Sequence, residues 1–127
     1  MVKQAIDSLV LIGPGGELHR AIALAVTEKD IPVLLAAMSK DQEFSIHSIA
    51  NELWSLRKEH SVHIQDVRGV NDVEDLFLAA SKQYGAHVFV VVISSGNDFV
   101  LFKATGFQQI DPSLPIGEAV KIVLGHI

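Results

Sequence analysis

Val88-Phe89-Val90-Val91-Val92-Ile93 is the most apolar stretch of the sequence. A continuous apolar run of this kind is typical of a strand buried on both faces of a parallel sheet, so we predict a central strand here. Two earlier runs, Leu9–Ile12 and Pro32–Ala37, have the same character. The run Val62–Val67 alternates more between apolar and polar residues, which favours a strand that lies near an edge or is less fully covered.

Amphipathic segments separate these four predicted strands. Apolar residues recur at helical spacing over about 17–29, 45–60 and 71–84, with charged residues on the opposite faces. Strands that alternate with helices of roughly ten to fifteen residues indicate right-handed βαβ units. The sequence therefore predicts an α/β protein with four βα units in residues 1–96. An irregular segment and a C-terminal helix are expected in residues 97–127.

The composition is that of one ordinary globular domain. The chain has 127 residues, of which 49% are hydrophobic and 20% are charged, so disorder and fibrous repeats are excluded. A net charge of −5 argues against nucleic acid and anionic membranes as partners. The absence of cysteine excludes a disulfide framework and a thiol nucleophile. Because no long apolar segment is present, we expect a cytoplasmic protein that does not enter a membrane.

A glycine-rich turn, Gly13-Pro14-Gly15-Gly16, joins the first predicted strand to the first helix. In doubly wound folds a turn at this position binds a pyrophosphate through backbone N–H groups and the helix dipole. The position of the turn indicates an anion-binding site, although the glycines alone do not decide it.

The stretch from Leu9 to about Asp111 resembles the short-chain dehydrogenase/reductase (SDR) family. The segments that carry the resemblance are Arg20–Ala25 in the first helix, Val33–Ala37 in the second strand, Gln65–Val67 at the end of the third, Ile93-Ser94-Ser95-Gly96 where the family has Asn-Asn-Ala-Gly, and Phe102-Lys103 with Ile110–Pro112 in the following loop. The resemblance implies a Rossmann-like three-layer sandwich, with helices on both faces of a mostly parallel sheet in the order 3-2-1-4. It also implies NAD(P)-dependent oxidoreductase chemistry. Since it covers only the first half of a typical member, we expect residues 1–127 to form a single truncated Rossmann-like domain.

Two residues depart from the family's phosphate turn, Gly-x-x-x-Gly-x-Gly. The first glycine falls on Gly13, but Glu17 and His19 occupy the other two positions. A side chain at either position fills the space through which the backbone approaches the pyrophosphate. The carboxylate of Glu17 would in addition satisfy free N–H groups of the first helical turn and repel a phosphate. We therefore expect no bound cofactor, with NADP on a shifted anion site at Gly15 and Gly16 as the alternative.

The resemblance assigns further cofactor contacts. No acidic residue ends the second strand, and the nearby Lys40 would favour the 2′-phosphate of NADP unless it is a solvated loop lysine. Asp66 would either contact an adenine or cap the loop that follows its strand. The complete candidate cofactor-binding set is Gly13, Gly15, Gly16, Lys40, Asp66, Val67, Ser95 and Gly96.

We predict no catalytic residue and no metal site. The family's catalytic Ser, Tyr-x-x-x-Lys pair and Asn follow the fourth strand, whereas the only tyrosine, Tyr84, precedes it and is followed at the fourth position by valine. Ser94 and Ser95 end that strand without an assignable activator, so we expect them to hydrogen-bond the strand terminus. His60 and His63 fall in a helix end and a strand, and no carboxylate is spaced to complete a metal triad.

The fourth strand raises the question of what covers its outer edge, because no strong strand follows it in the sequence. An exposed apolar edge is an aggregation site unless it is paired, so Phe99–Phe102, the last helix or another chain should occupy it. We therefore predict a homo-oligomer, or a hetero-oligomer with an SDR-type protein, formed through the fourth-strand edge and the C-terminal segment. The expected function is that of a non-catalytic SDR-like subunit acting through protein association. The alternatives are an NAD(P)-binding module and part of an oxidoreductase completed by another chain.

Overall fold

The computed structural model describes residues 6–64, 66–67, 70–94 and 108–127. Its strands are β1 (Ser8–Gly13), β2 (Val33–Ala37), β3 (His60–His63), β4 (Val88–Ile93) and β5 (Gln108–Ile110). Its helices are α1 (Gly16–Thr27), α2 (Glu43–Ser55), α3 (Val70–Tyr84) and α4 (Ile116–Leu124), with a 3-10 turn at Lys40–Gln42. The strands pair in parallel in the order β3-β2-β1-β4-β5. The predicted α/β Rossmann-like sandwich is confirmed, and a fifth strand extends the predicted order beyond β4.

The sheet separates two hydrophobic cores, because alternate residues of a strand point to opposite faces. On one face Leu9 and Leu11 of β1 pack in a cluster with residues of α1, α2 and α4. On the other face Val10 and Ile12 pack in a cluster with residues of α3. All four side chains are completely buried. The helices cover both faces of the central strands, which explains why these strands read as uninterrupted apolar runs.

The end of α2 and the start of β3 differ from the prediction. Helix α2 ends at Ser55 instead of continuing to about residue 60, and β3 begins at His60 instead of Val62. Arg57 adopts a left-handed φ of 58°, and the N–H of Lys58 donates to the carbonyl of Leu53. This is the Schellman arrangement that ends many helices, in which the left-handed residue is usually glycine. With arginine at that position the sequence carries no signal for the helix end.

A short fifth strand pairs with β4, although the sequence pattern predicted only an irregular segment and a C-terminal helix in residues 97–127. The register places Val91 beside Gln108 and Ile93 beside Ile110. Two of the three residues of β5 are glutamines, so the apolar pattern that marks the other strands is missing. The chain itself therefore covers the carboxyl half of β4. The predicted occupant Phe99–Phe102 lies outside the described residues.

Helix α4 follows β5, packs beside α1 and completes the cover of the first face. Ala119 and Val123 are its fully buried residues. Within the described part of the chain, none of the helices has both the length and the apolar character that a bilayer crossing requires.

Candidate functional site

The glycine turn between β1 and α1 lies at the carboxyl edge of the parallel sheet, where doubly wound folds bind their ligands. Gly15 and Gly16 both have a φ of 84°, in the left-handed region where glycine is favoured. The turn of the polypeptide into α1 depends on this geometry. Gly15 is the N-cap residue of α1, and no side chain caps the helix from that position.

His19 from the first turns of α1 folds back against this turn and is fully buried. The N–H of Gly15 donates to Nδ1 of His19 at 3.0 Å. A Cβ atom added at Gly13 would lie only 2.9 Å from the same nitrogen. The imidazole ring therefore occupies the space over Gly13 and takes up one of the N–H groups that a phosphate at the turn would need.

The hydrogen bond from Gly15 also fixes the protonation state of His19. Because Nδ1 accepts, the neutral ring carries its proton on Nε2, which is buried and has no hydrogen-bond partner among the described residues. Burial lowers the pKa of His19 to about 4, and the backbone of Leu11 opposes this shift only in part. At neutral pH the turn thus holds an uncharged imidazole.

Ser45 from α2 closes the other side of the turn. A Cβ atom built at Gly15 would overlap the Cβ of Ser45, so the two helices approach each other closely at this glycine. Ser45 also lines a small cavity of about 160 Å³ between the starts of α1 and α2, together with Gly16 and Phe44. The glycine at position 15 is therefore required for packing within the chain, independently of any ligand.

The charged groups near the start of α1 form a network of their own. The guanidinium of Arg20 donates to both carboxylate oxygens of Glu52 on α2, at 2.5 Å and 2.7 Å. This paired geometry raises the pKa of Arg20 and lowers the pKa of Glu52. Glu17 lies 3.8 Å from Arg20, and its side chain is 77% exposed. Arg20 therefore contacts two carboxylates. One of them, that of Glu17, is exposed and lies in the first turn of α1, directly after the glycine turn.

The loops that follow β2 and β3 are connected by hydrogen bonds that involve Lys40, Asp66 and Val67. The backbone N–H of Lys40 donates to Oδ1 of Asp66 at 2.8 Å, and the N–H of Val67 donates to the carbonyl of Met38 at 2.9 Å. The side chain of Lys40 is exposed. The sequence suggests that Asp66 either contacts an adenine or caps the loop after its own strand. The contact observed in the structure is with the backbone of the loop that follows β2.

Ser94 is buried where β4 ends, but its hydroxyl has no hydrogen-bond partner among the described residues. Its backbone continues the sheet instead, since its N–H donates to Ile110 and its carbonyl accepts from the side chain of Gln109. The expected bond from the Ser94 hydroxyl to the strand terminus is thus not observed. Ser95 and Gly96 lie outside the described residues.

The structure brings the predicted residues together as two groups at one edge of the sheet. Gly13, Gly15 and Gly16 surround the turn with His19, and Lys40, Asp66 and Val67 tie the next two loops. The sequence identified His19 as a space-filling departure from a glycine position, but not as the acceptor for Gly15. The close approach of Ser45 to Gly15 could not be predicted from the sequence, because it depends on how α2 packs against α1.

The hydroxyl of Tyr84 has a structural partner. The Tyr84 hydroxyl donates to Oγ of Ser61 at 3.2 Å, and burial raises its pKa. Among the described residues, no group of three or more His, Asp or Glu side chains is arranged to hold a metal ion.

A scan against models of known protein families found no match, and a search of curated proteins found no significant relative.

Proposed function

We propose that this chain is a non-catalytic, SDR-like domain that acts by associating with another protein chain. The observation that carries the proposal is the hydrogen bond from Gly15 to His19, with the imidazole filling the space over Gly13. At the position where a dinucleotide would place its pyrophosphate, the protein uses its own side chain. The residues present do not fit a dinucleotide bound in the usual way.

The cost of displacing His19 supports this interpretation. A phosphate that took the Gly15 N–H would leave the buried imidazole without its hydrogen bond, which costs about 1–3 kcal/mol for a buried polar group. That penalty alone corresponds to roughly fivefold to 150-fold weaker binding. The phosphate would also meet the exposed carboxylate of Glu17 in the first turn of α1.

Within the part of the chain that the structure describes, the residues expected for hydride-transfer chemistry do not come together either. The only tyrosine in the sequence is Tyr84, and its hydroxyl is bonded to Ser61. The buried Ser94 hydroxyl has no described base beside it. An oxidoreductase would therefore need its proton donor from another chain, which is the second of the two alternatives that the sequence leaves open.

Association is proposed at the β5 edge and the C-terminal segment. β5 covers the carboxyl half of β4 and is the edge strand of the described sheet, so the surface proposed for association is the outer side of β5 together with α4. On that helix Ile116 is 42% exposed and Ile122 is 37% exposed. An SDR-like chain that lays a strand or helix against this surface is the proposed partner.

Calorimetric titration with NADPH and NADH tests the non-catalytic assignment. We expect neither heat of binding nor a thermal shift at millimolar cofactor, because any ligand of the native state must stabilise it. A variant carrying Glu17→Gly and His19→Gly restores the family's turn and should gain binding if it remains folded. Saturable micromolar binding by the unaltered protein would overturn the proposal.

The competing candidate is an NADP-binding module with its anion site shifted to Gly15 and Gly16. It is favoured by the open space at Gly16, where an added Cβ would meet no described atom within 4 Å. The same titration decides between the two functions, since a module of this kind binds NADPH without restoring any residue.

The proposed association surface has its own test. Ile122→Glu places a charge on the exposed face of α4 and should weaken complex formation with a purified full-length SDR, measured by sedimentation velocity. Leu78→Glu is the matched control, because Leu78 is similarly exposed, at 54%, but lies on α3 on the other face of the sheet. Equal loss in both variants, or no complex with the unaltered protein, would contradict the surface.

A further inference from the structure

Strand β3 forms one edge of the sheet, and no described strand pairs with its outer side. Its register with β2 fixes which backbone groups face outward. The N–H of Val33 in β2 donates to the carbonyl of Glu59, and Val33 pairs in register with His60. In a parallel ladder this geometry turns Ser61 toward β2 and directs the N–H and C=O groups of His60 and Val62 outward. The edge therefore presents alternating donors and acceptors to an incoming strand.

Helix α2 places an exposed tryptophan beside this open edge. Glu52 bonds to Arg20 of α1, so its side of α2 faces α1. Trp54 follows two positions later, about 200° around the helix, and therefore faces away from α1, toward the β3 side. Its side chain is 77% exposed. It lines an open groove of about 580 Å³ with Arg57, Lys58 and other residues leading into β3.

We infer that the outer edge of β3 and Trp54 form an interface with the same surface of a second copy of this chain. An antiparallel pair with its two-fold axis at Val62 sets His60 opposite Ile64 of the other copy. The outward N–H and C=O groups of the two Val62 residues then face each other and are mutually complementary. An edge of this kind otherwise requires protection by charge, proline or cover, and the strand His60-Ser61-Val62-His63 contains neither proline nor a permanently charged residue.

The charges at the two ends of β3 also suit an antiparallel partner. At its amino end Arg57 and Lys58 outnumber Glu59, and beyond its carboxyl end the sequence carries Asp66 and Arg68, of which the structure describes Asp66. With the two-fold axis at Val62, Lys58 of one copy lies opposite Asp66 of the other. Two-fold pairing brings the basic end of one copy next to Asp66 of the other. A parallel arrangement would bring like charges together. The complementarity therefore points to a second copy in antiparallel orientation.

This surface is independent of the proposed function, because it lies at the opposite edge of the sheet from β5. A second copy at β3 leaves the C-terminal surface accessible to a different chain. Failure of one interface consequently says nothing about the other, provided that each is tested with its own variants.

Hydrogen exchange at increasing protein concentration tests the inference on the unaltered chain. The amides of Ser61 and His63 belong to the β2 ladder and should be protected at every concentration. The amides of His60 and Val62 should become protected only as sedimentation velocity shows dimer. A chain that stays monomeric up to high micromolar concentration overturns the inference, as does a dimer in which His60 and Val62 exchange as fast as in the monomer.

Two exposed aromatic residues of α2 provide a matched pair of variants. Trp54→Glu should weaken the dimer by roughly tenfold or more, as expected when a central aromatic anchor is lost. Phe44→Glu changes a residue that is 87% exposed on the same helix and should leave dimerisation unchanged. Circular dichroism verifies that both variants fold. A dimer that resists Trp54→Glu but dissociates with Ile122→Glu would reject the β3 interface and favour the C-terminal surface.

Discussion

Acidification is expected to destabilise this protein through one buried residue, His19. Its pKa is about 4 in the folded chain and near 6.5 when the chain is unfolded. Above pH 6.5 both states hold a neutral ring and the residue contributes no pH dependence. Between pH 6.5 and pH 4 the unfolded state binds the proton while the folded state does not, so the free energy of unfolding falls as the pH falls.

The size of this effect follows from the two pKa values. Each tenfold difference in proton affinity is worth about 1.4 kcal/mol, so the loss reaches about 3 kcal/mol near pH 4 and levels off below it. For a domain of ordinary stability, about 5–15 kcal/mol, this is a substantial fraction. The physical origin is the burial of the ring, and the added proton would have to go to Nδ1, which in the folded chain accepts from the Gly15 N–H.

Urea unfolding at several pH values between 7 and 4, compared between the unaltered protein and His19→Gln, isolates this contribution. Glutamine cannot titrate but still offers an oxygen to the Gly15 N–H. The stability of the unaltered protein should fall more steeply with acid than that of the variant. His47→Gln, which removes an exposed imidazole from α2, should parallel the unaltered protein. Parallel curves for all three proteins would refute the buried neutral His19.

Three further predictions concern the turn, the helix end and the C-terminal edge. Gly15→Ala should lower the free energy of unfolding by about 1–3 kcal/mol in urea titrations, because it combines a left-handed φ with overlap against Ser45; no loss would contradict the packing at the turn. Arg57→Gly should raise stability by about 1 kcal/mol, measured as an increase in Tm, since glycine relieves the left-handed strain; a decrease would contradict the assigned helix end. His126→Ala removes the contact of the ring with Gln108, 2.9 Å away, and should speed amide exchange in β5 while leaving β2 unchanged; equal rates in β5 would refute this tether.

The central architecture was predictable from the sequence because strands that are buried on both faces of the sheet consist of continuous apolar runs. The runs at Leu9–Ile12 and Val88–Ile93 are apolar at every position, which is typical of strands in a parallel sheet covered on both faces. The helical spacing between the runs then determines the crossovers and the class of fold. These features depend on local composition, which a sequence shows without knowledge of the packing.

The parts that escaped prediction depend on single contacts. Strand β5 is mostly glutamine and is ordered by pairing with β4, and the end of α2 is set by the unusual φ of Arg57. At the candidate site, the sequence showed that His19 replaces a glycine, but the bond from Gly15 requires the ring to fold back against the turn. The approach of Ser45 arises from helix packing between segments distant in the chain.

The claim that the turn is occupied by the protein itself is tested most directly at the Gly15 amide. In a ¹⁵N–¹H correlation spectrum recorded during titration with NADPH, the Gly15 signal should stay in place up to millimolar cofactor, because its N–H is already donated to His19. A saturable shift of that signal at micromolar NADPH would show that a phosphate displaces the imidazole, and would contradict the non-catalytic assignment.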